Sequence, residues 1–548
     1  MMKLKRPQTI LVDLDGVIYS GSRDRIFKRS QTKMALQDLK LIVGRQRLIF
    51  VAWASSWKTS TIWLISFVLY SSLYVLTSQR DVGWQDSGEY QVRVLNNDFA
   101  GPGGLVRSHP LYMYMGIALK YLPGDVTSLP FKLNAFSGVG MAIALANLAG
   151  LILTVTGKKW VSFAGPAMVA VLHTVWWLST TAEVYTWSVA GLTAELWLLV
   201  LLFRDPSWKY LTALAFVNGM GLAVHNFALL AAPVYGVAAL ILVYHKSISF
   251  GSLLAAVVAF FVGASPYLLM IIEEAIKSGS VSKTIASALF GTFGNEVFNA
   301  GKLSDLSMQN FFLMGQNAVS LVLPLSLFGF VRLNKLMSST PANLIRAITI
   351  IEVVFVVRYN VPDQFTFMVP SLVMIGFLAS LGLALLDNVS ARMHKFALIG
   401  SMCSILFPPV FYGLSPTILN TMGKSINREG HPRDELRYWL TPWKQNERSA
   451  QIFSEKAVAS AQPDGVILCN QTAFYALYFY AKELATDVKV ENSEHSLLLR
   501  ASSVLEVRQA LGHRPLFVLE QSDIPKYLFP YVRFERPAED VLFKVIWK

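Results

Sequence analysis

The chain has 548 residues, 53% of them hydrophobic and 15% charged, with a mean hydropathy of +0.45. A soluble protein of this size carries about 25% charged residues, which excludes a water-soluble globular fold. The formal net charge of +13 does not indicate nucleic acid, because Lys and Arg gather in the N-terminal arm and in short loops between apolar runs, as in a membrane protein.

The arm 1–58 is polar and basic and reads as lacking a cleavable leader. Within it, Leu11-Val12-Asp13-Leu14-Asp15-Gly16-Val17 resembles the first motif of haloacid-dehalogenase-type phosphatases. Such a domain needs on the order of 100–200 residues, and too few precede the first apolar run, so no phosphatase is expected. From residue 59 apolar runs recur, most of them roughly 17–25 residues long and able to cross a bilayer core of about 30 Å as helices. They predict an α-helical polytopic membrane protein with eleven transmembrane helices, at 59–77, 133–156, 161–179, 187–203, 210–226, 228–244, 250–272, 311–331, 344–358, 366–386 and 396–413. The stretch near 90–120 carries Arg93, Arg107, His109 and Lys120 and reads as interfacial helices.

The basic arm should be cytoplasmic. The loops on its side, 157–160, 204–209, 245–249, 331–346 and 387–395, each contain Lys or Arg. The opposite loops hold Asp86, Glu183, His225, the stretch 273–310 and Asp363, and are poor in Lys and Arg. Eleven crossings place the tail outside. Residues 414–548 are more polar, with β-like runs at 465–470, 487–491, 515–520 and 541–547 and helical patterns at 435–461 and 472–483. The predicted organisation is a cytoplasmic arm, 1–58, a transmembrane domain, 59–413, and a small extracytoplasmic α/β domain, 414–548.

The most telling residues are Asp86-Ser87-Gly88-Glu89, just after the first apolar run. Ionisable groups at such a place are costly and usually functional. A spacing of three lets both carboxylates share one face of a helical turn. It also fits a capping box, with Asp86 as N-cap and Glu89 reaching back. Arg107 and His109 follow the turn Gly101-Pro102-Gly103-Gly104; they have the chemistry to hold a phosphate, or else snorkel at the interface. Glu183 stands between Ala182 and Val184, behind Trp176-Trp177, which an interfacial aromatic belt explains. His225-Asn226 ends one predicted span. Arg358 ends another, ahead of Tyr359-Asn360-Val361-Pro362-Asp363, and either meets a lipid phosphate or closes its helix. A polar cavity at the outer leaflet would accommodate all these groups. Asn470-Gln471-Thr472 fits an N-glycosylation acceptor, a pattern too short to carry weight. Cys403 and Cys469 give no disulfide framework.

Taken in order, Asp86-Ser87-Gly88-Glu89, His109-Pro110-Leu111-Tyr112, Lys132-Leu133-Asn134, Ala182-Glu183-Val184-Tyr185-Thr186, His225-Asn226 and Tyr359-Asn360-Val361-Pro362-Asp363 resemble the protein O-mannosyltransferase-like membrane family of the GT-C glycosyltransferase fold, in the branch of transmembrane protein 260. The resemblance runs from residue 60 to about 410; the tail is short for the family and the arm has no counterpart. It implies Asp86 as catalytic base, with Glu89 beside it. On the residues themselves, substrate contacts are expected from Arg107, His109, Tyr112, Glu183, Tyr185, His225, Asn226, Arg358 and Asp363, with Glu89 and Glu183 shaping the acceptor and sugar site and the basic residues holding the lipid phosphate. The donor the resemblance implies is a polyprenyl-phosphate monosaccharide, mannose by preference, and the acceptor a protein Ser/Thr hydroxyl or a glycan.

The chemistry agrees on its own terms. Inverting transfer from a glycosyl phosphate needs a base for the acceptor proton. It needs no strong general acid, because phosphate leaves as an anion, unlike the leaving oxygen in glycoside hydrolysis. The departing phosphate needs cations, and Arg107, His109, His225 and Arg358 are the ones available. A divalent cation is compatible, but so few outward carboxylates argue against an obligatory one. A bacterial plasma membrane and the endoplasmic reticulum both fit, with the site on the extracytoplasmic or lumenal side. The rival is a transporter or flippase of lipid-linked sugars, which favours paired halves and broken helices. The sequence shows no such halves, and its carboxylates are expected on one side instead of at the midplane. A non-catalytic scaffold would not need outward Asp, Glu, His and Arg from separate loops.

Overall fold

The computed structural model describes residues 9–12, 18–21, 58–125, 128–298, 310, 314–317, 319–359, 361, 363–424, 433–461, 463–493, 496, 503–537 and 540–548. They belong to two compact units, 1–61 and 62–548. In the first, β1 (Thr9–Val12) and β2 (Ile18–Gly21) pair antiparallel, from Thr9 opposite Gly21 to Val12 opposite Ile18. The Asp13-Leu14-Asp15-Gly16 motif lies outside the described residues.

The remaining chain is mostly helical. Its helices are α1 (Thr59–Thr77), α2 (Gln85–Asn96), α3 (Pro110–Ala118), α4 (Leu129–Thr156), α5 (Lys159–Ala170), α6 (His173–Leu178), α7 (Tyr185–Arg204), α8 (Trp208–Val224), α9 (Ala228–Tyr244) and α10 (Phe250–Ser278). They continue with α11 (Val281–Leu289), α12 (Val322–Arg332), α13 (Ser339–Arg358), α14 (Val369–Asp387) and α15 (Ala391–Thr421). Seven segments are long and apolar enough to cross a membrane: α1, α4, α7, α10, α13, Gln364–Asp387 and α15. The spans predicted at 210–226 and 228–244 are the 17-residue helices α8 and α9. The one predicted at 161–179 is split into α5 and α6, with Leu172 in an extended conformation. The one predicted at 311–331 matches the 11-residue α12, so length and composition support seven crossings, and a count of eleven rests on these four shorter or broken helices.

α4 and the segment Gln364–Asp387 are the pillars of the bundle, 72% and 83% buried, whereas α10 and α15 are only 22% and 28% buried. The outer helices turn Val258, Phe261, Leu406 and Val410 outward, as lipid-facing surfaces do. Small residues bring neighbours together, as they do in membranes. A Cβ on Gly263 of α10 would lie 2.3 Å from the carbonyl of Phe216 in α8, and one on Gly329 of α12 would lie 2.0 Å from that of Leu378 in α14. The bundle also encloses Glu195 of α7 and Glu352 of α13. The expectation that carboxylates gather only on one side is corrected by these two.

The tail begins with α16 (Glu435–Leu440) and α17 (Ser449–Ser460). One helix was predicted over 435–461, but Pro442 cannot continue a helix and disfavours helical geometry at Thr441, which is extended. A five-stranded sheet follows in the order β4-β3-β5-β7-β6, made of β3 (Val466–Cys469), β4 (Lys489–Asn492), β5 (Leu516–Val518), β6 (Val532–Glu535) and β7 (Phe543–Trp547). β3 is parallel to β4 and β5, while β7 is antiparallel to β5 and β6. The parallel pairs are joined through α18 (Gln471–Glu483) and α19 (Val504–Leu511), the crossover a parallel pair requires. Val466 and Leu468 face a core with Leu511, Leu516 and Val545, while Ile467 and Cys469 join the core that continues into the bundle. This two-sided burial follows from the period of two along a strand.

Trp176 and Trp177 lie where this tail meets the bundle. Trp176 packs on Trp443 with centroids 5.3 Å apart, and Trp177 stacks on Trp439 at 5.9 Å. Both are buried, so the aromatic-belt reading is corrected: the C-terminal segment covers them.

Candidate active site

The helix α2 starts after Trp84, which is extended and makes no side-chain cap. Asp86 is therefore inside the first turn and not the N-cap, and the capping-box reading is set aside. The spacing of three does put both carboxylates on one face, where Arg107 meets them. Its Nη2 donates to Glu89 Oε2 at 2.7 Å and to Asp86 Oδ1 at 3.3 Å. The two acids differ in exposure: the Asp86 side chain is 34% exposed and that of Glu89 is 0% exposed.

Arg93, which the sequence reading used only as an interfacial marker, organises this corner. It is buried, 3.6 Å from Glu89 Oε1, and donates to the carbonyls of Phe99, Arg107 and Ser108 at 3.0, 2.9 and 3.0 Å. Its i,i+4 spacing from Glu89 was the available signal. Gly101 has φ +65, and a Cβ there would lie 2.6 Å from Arg93 Cζ, so the turn needs glycine. Burial pushes the Glu89 carboxyl up to about 7, with Arg107 opposing and Asp86 adding to the rise. Burial works against the charge on Arg107, but Asp86 and Glu89 outweigh it and raise its pKa further. Arg107 and His109 do not snorkel.

Two further acids converge from other loops. Glu183, between α6 and α7, accepts from Ser87 Oγ at Oε1, 3.3 Å, and its Oε2 is buried without a partner. Burial first, then the charges of Asp86 and Asp363, raise its pKa well above the ordinary carboxyl value. Asp363, just before Gln364–Asp387, is pushed up to about 6 by burial and by Asp86. Loops at one end of α1, α6, α8 and α13 therefore share a single acidic site, while at the other end Asp387 bonds Lys158 and His394. The segregation of loops into two faces agrees with the alternation of basic loops along the chain.

The histidines are neutral. His109 Nδ1 donates to the carbonyl of Val224 at 2.9 Å, and burial first, then His225, lowers its pKa well below the ordinary value. His225 Nδ1 accepts from the amide of Phe227 at 3.1 Å, which leaves its Nε2–H as a donor. The rings stack 5.2 Å apart. They can hydrogen-bond a ligand but do not supply the positive charge expected of them. His109 also has φ 47 at the N-cap of α3, a left-handed conformation that costs a non-glycine residue energy. Tyr112 is fully buried against Tyr90 and Phe136. Tyr185 is buried among His225, Phe227 and Phe367. Asn226 donates to the carbonyl of Ala288 at 2.8 Å, tying its loop to α11. Arg358 is the half-buried last residue of α13. Asn134 donates to the carbonyl of Gln79 at 2.9 Å and accepts from Gln91 at 2.9 Å, so it braces α2 from behind.

The tail completes the site. Helix α18 lies on α2: a Cβ on Gly88 would come 3.1 Å from Tyr475 Cβ, and the Tyr475 hydroxyl faces the Glu89 carboxylate. Lys482 Nζ donates to Asn96 Oδ1 at 2.6 Å. No spacing rule connects residue 475 to residue 89, and the sequence held no signal for this pair. Among the described residues, no three His, Cys, Asp or Glu side chains are grouped to hold a metal ion.

Seven apolar spans, a polar site at one end of the bundle and a small C-terminal sheet define a multi-pass membrane protein of the GT-C fold. The crystal structure of ArnT from Cupriavidus metallidurans bound to undecaprenyl phosphate is similar with a TM-score of 0.56 at 11% identity, over 88% of this chain and 97% of that one. ArnT from the same organism in the apo state gives 0.52 at 13% identity, over 89% and 98%. Residues 86–249 match the family model described as the protein O-mannosyl-transferase TMEM260 N-terminal domain. The resemblance carried by the motifs is borne out over that segment. No curated protein sequence matches the chain.

Proposed function

We propose that this protein transfers one monosaccharide, mannose by preference, from a polyprenyl-phosphate donor to an acceptor hydroxyl of a protein Ser or Thr, with inversion. Asp86 is the base that takes the acceptor proton. The observation that carries this reading is the contrast within one helical turn: Asp86 is partly open and shares Arg107, while Glu89 is enclosed and ion-paired. An acid at the edge of a cavity can reach a substrate proton; one sealed behind two arginines holds the site together. Arg107 is the charge available to a departing phosphate, and the neutral His225 adds a donor. The undecaprenyl phosphate bound by the similar ArnT structure supports a lipid-phosphate donor here. The site faces the lumen or periplasm, as the basic loops at the opposite end support, and the tail helps present the acceptor.

The enclosed Glu195 and Glu352 favour the rival, a flippase, because midplane acids are common in transporters. Purified protein with labelled polyprenyl-phosphate mannose separates the two. Transfer or release of sugar, reduced on the order of 10²–10⁴-fold in Asp86→Asn, supports the transferase. Passage of intact donor across vesicles without bond cleavage, or full activity in that variant, overturns it.

A further inference from the structure

Glu195 and Glu352 have no part in the transfer chemistry above. Glu195 stands near the middle of α7, about 15 Å from either end at 1.5 Å per residue. Its carboxylate is satisfied by neutral donors: Oε2 accepts from the Tyr235 hydroxyl at 2.9 Å and Oε1 from Asn218 Nδ2 at 3.2 Å. Glu352, 3% exposed, makes no hydrogen bond or ion pair among the described residues. Both line one enclosed cavity with Ser188, Phe227, Ala231 and Pro370. It has about 10 Å³ of room for the centre of a water-sized sphere, enough for one water or an ion of that size.

Two bare carboxylates around such a cavity repel one another and have both lost their hydration. Glu195 already accepts two hydrogen bonds and Glu352 accepts none among the described residues, so the missing positive charge belongs beside Glu352. The titratable groups that face Glu352 are Glu195 of α7 and Tyr235 of α9; α14 has none before Asp387 at its far end. We propose that this cavity binds one monovalent cation, either a proton held on Glu352 or a sodium ion among Glu352, Glu195 and the Ser188 hydroxyl. Phe227 forms its wall toward the active site and packs on His225 at 4.4 Å, so occupancy supports the floor beneath the two histidines. The inference does not rest on the transferase reading.

The test is thermal unfolding of the full chain in lipid nanodiscs at constant ionic strength, with choline replacing sodium, for wild type and Glu352→Gln. If the ligand is sodium, the wild-type midpoint rises by about 1–3 °C per tenfold increase in sodium at fixed pH, and that of the variant does not. If it is a proton, sodium has no effect and the wild-type midpoint rises as pH falls from about 8 to about 5, with a flatter response in the variant. Equal responses of wild type and variant in both arms overturn the proposal. Should Glu352→Gln fail to fold, Glu195→Gln removes the other charge and takes its place, and an unchanged response there overturns it equally.

Discussion

At Asp86 the carboxylate keeps one ion pair and about a third of its surface, while at Glu89 it is enclosed by Arg93, Arg107 and Tyr475. This difference predicts opposite outcomes for two similar substitutions. Asp86→Asn should leave the unfolding midpoint nearly unchanged and remove transfer. Glu89→Ala leaves two buried guanidinium groups short of a partner and should lose about 3–5 kcal/mol of stability, read as a lowered midpoint in detergent. The pH dependence has a definite sign. Glu89 is raised from 4.5 to about 7 in the folded protein, so its stabilising contribution is complete below 4.5 and is lost as pH rises through about 7. Wild type should therefore lose stability relative to Glu89→Gln over that window, and a parallel pH profile for the two would refute the assignment. The pair was legible in the sequence because a spacing of three has one helical meaning. Its division of roles was not, because exposure depends on Tyr475 and Arg107, which reach it from elsewhere.

Among the elements, close glycine contacts and one docked helix position the site. Gly263→Val would drive its side chain into the Phe216 carbonyl, 2.3 Å from the Cβ position, and should cost at least about 1–3 kcal/mol, seen as a lower midpoint. Gly236, which has open space around its Cβ position, is the control, and Gly236→Ala should be neutral or mildly stabilising. Helix α18 reaches α2 through Tyr475 and Lys482. Tyr475→Phe should retain the fold and shift the pH profile of transfer, because the hydroxyl facing Glu89 is lost. Most of these elements were visible as runs of apolar residues or as alternation. The break between α5 and α6 and the short strand β6 were not, because neither interrupts the local pattern strongly.

For the whole molecule, the outer helices α10 and α15 bury little of their surface in protein, and α4 and α14 bury most. A membrane-soluble photoreactive label should therefore attach to peptides containing Phe261 or Leu406 and leave Leu145, which is fully buried, unmodified; labelling of α4 would contradict this arrangement. The membrane class, the alternation of basic loops and the order of the motifs are properties of the chain read along its length. They follow from composition and from the bilayer thickness, so the amino-acid sequence determined them without a fold. Tertiary structure alone decided that Asp86 is open and Glu89 sealed, that both histidines are neutral, that Tyr112 is core, and that two carboxylates share a cavity inside the bundle. Each of these depends on what surrounds a side chain in space, because charge state and access follow from burial and from partners far away in sequence.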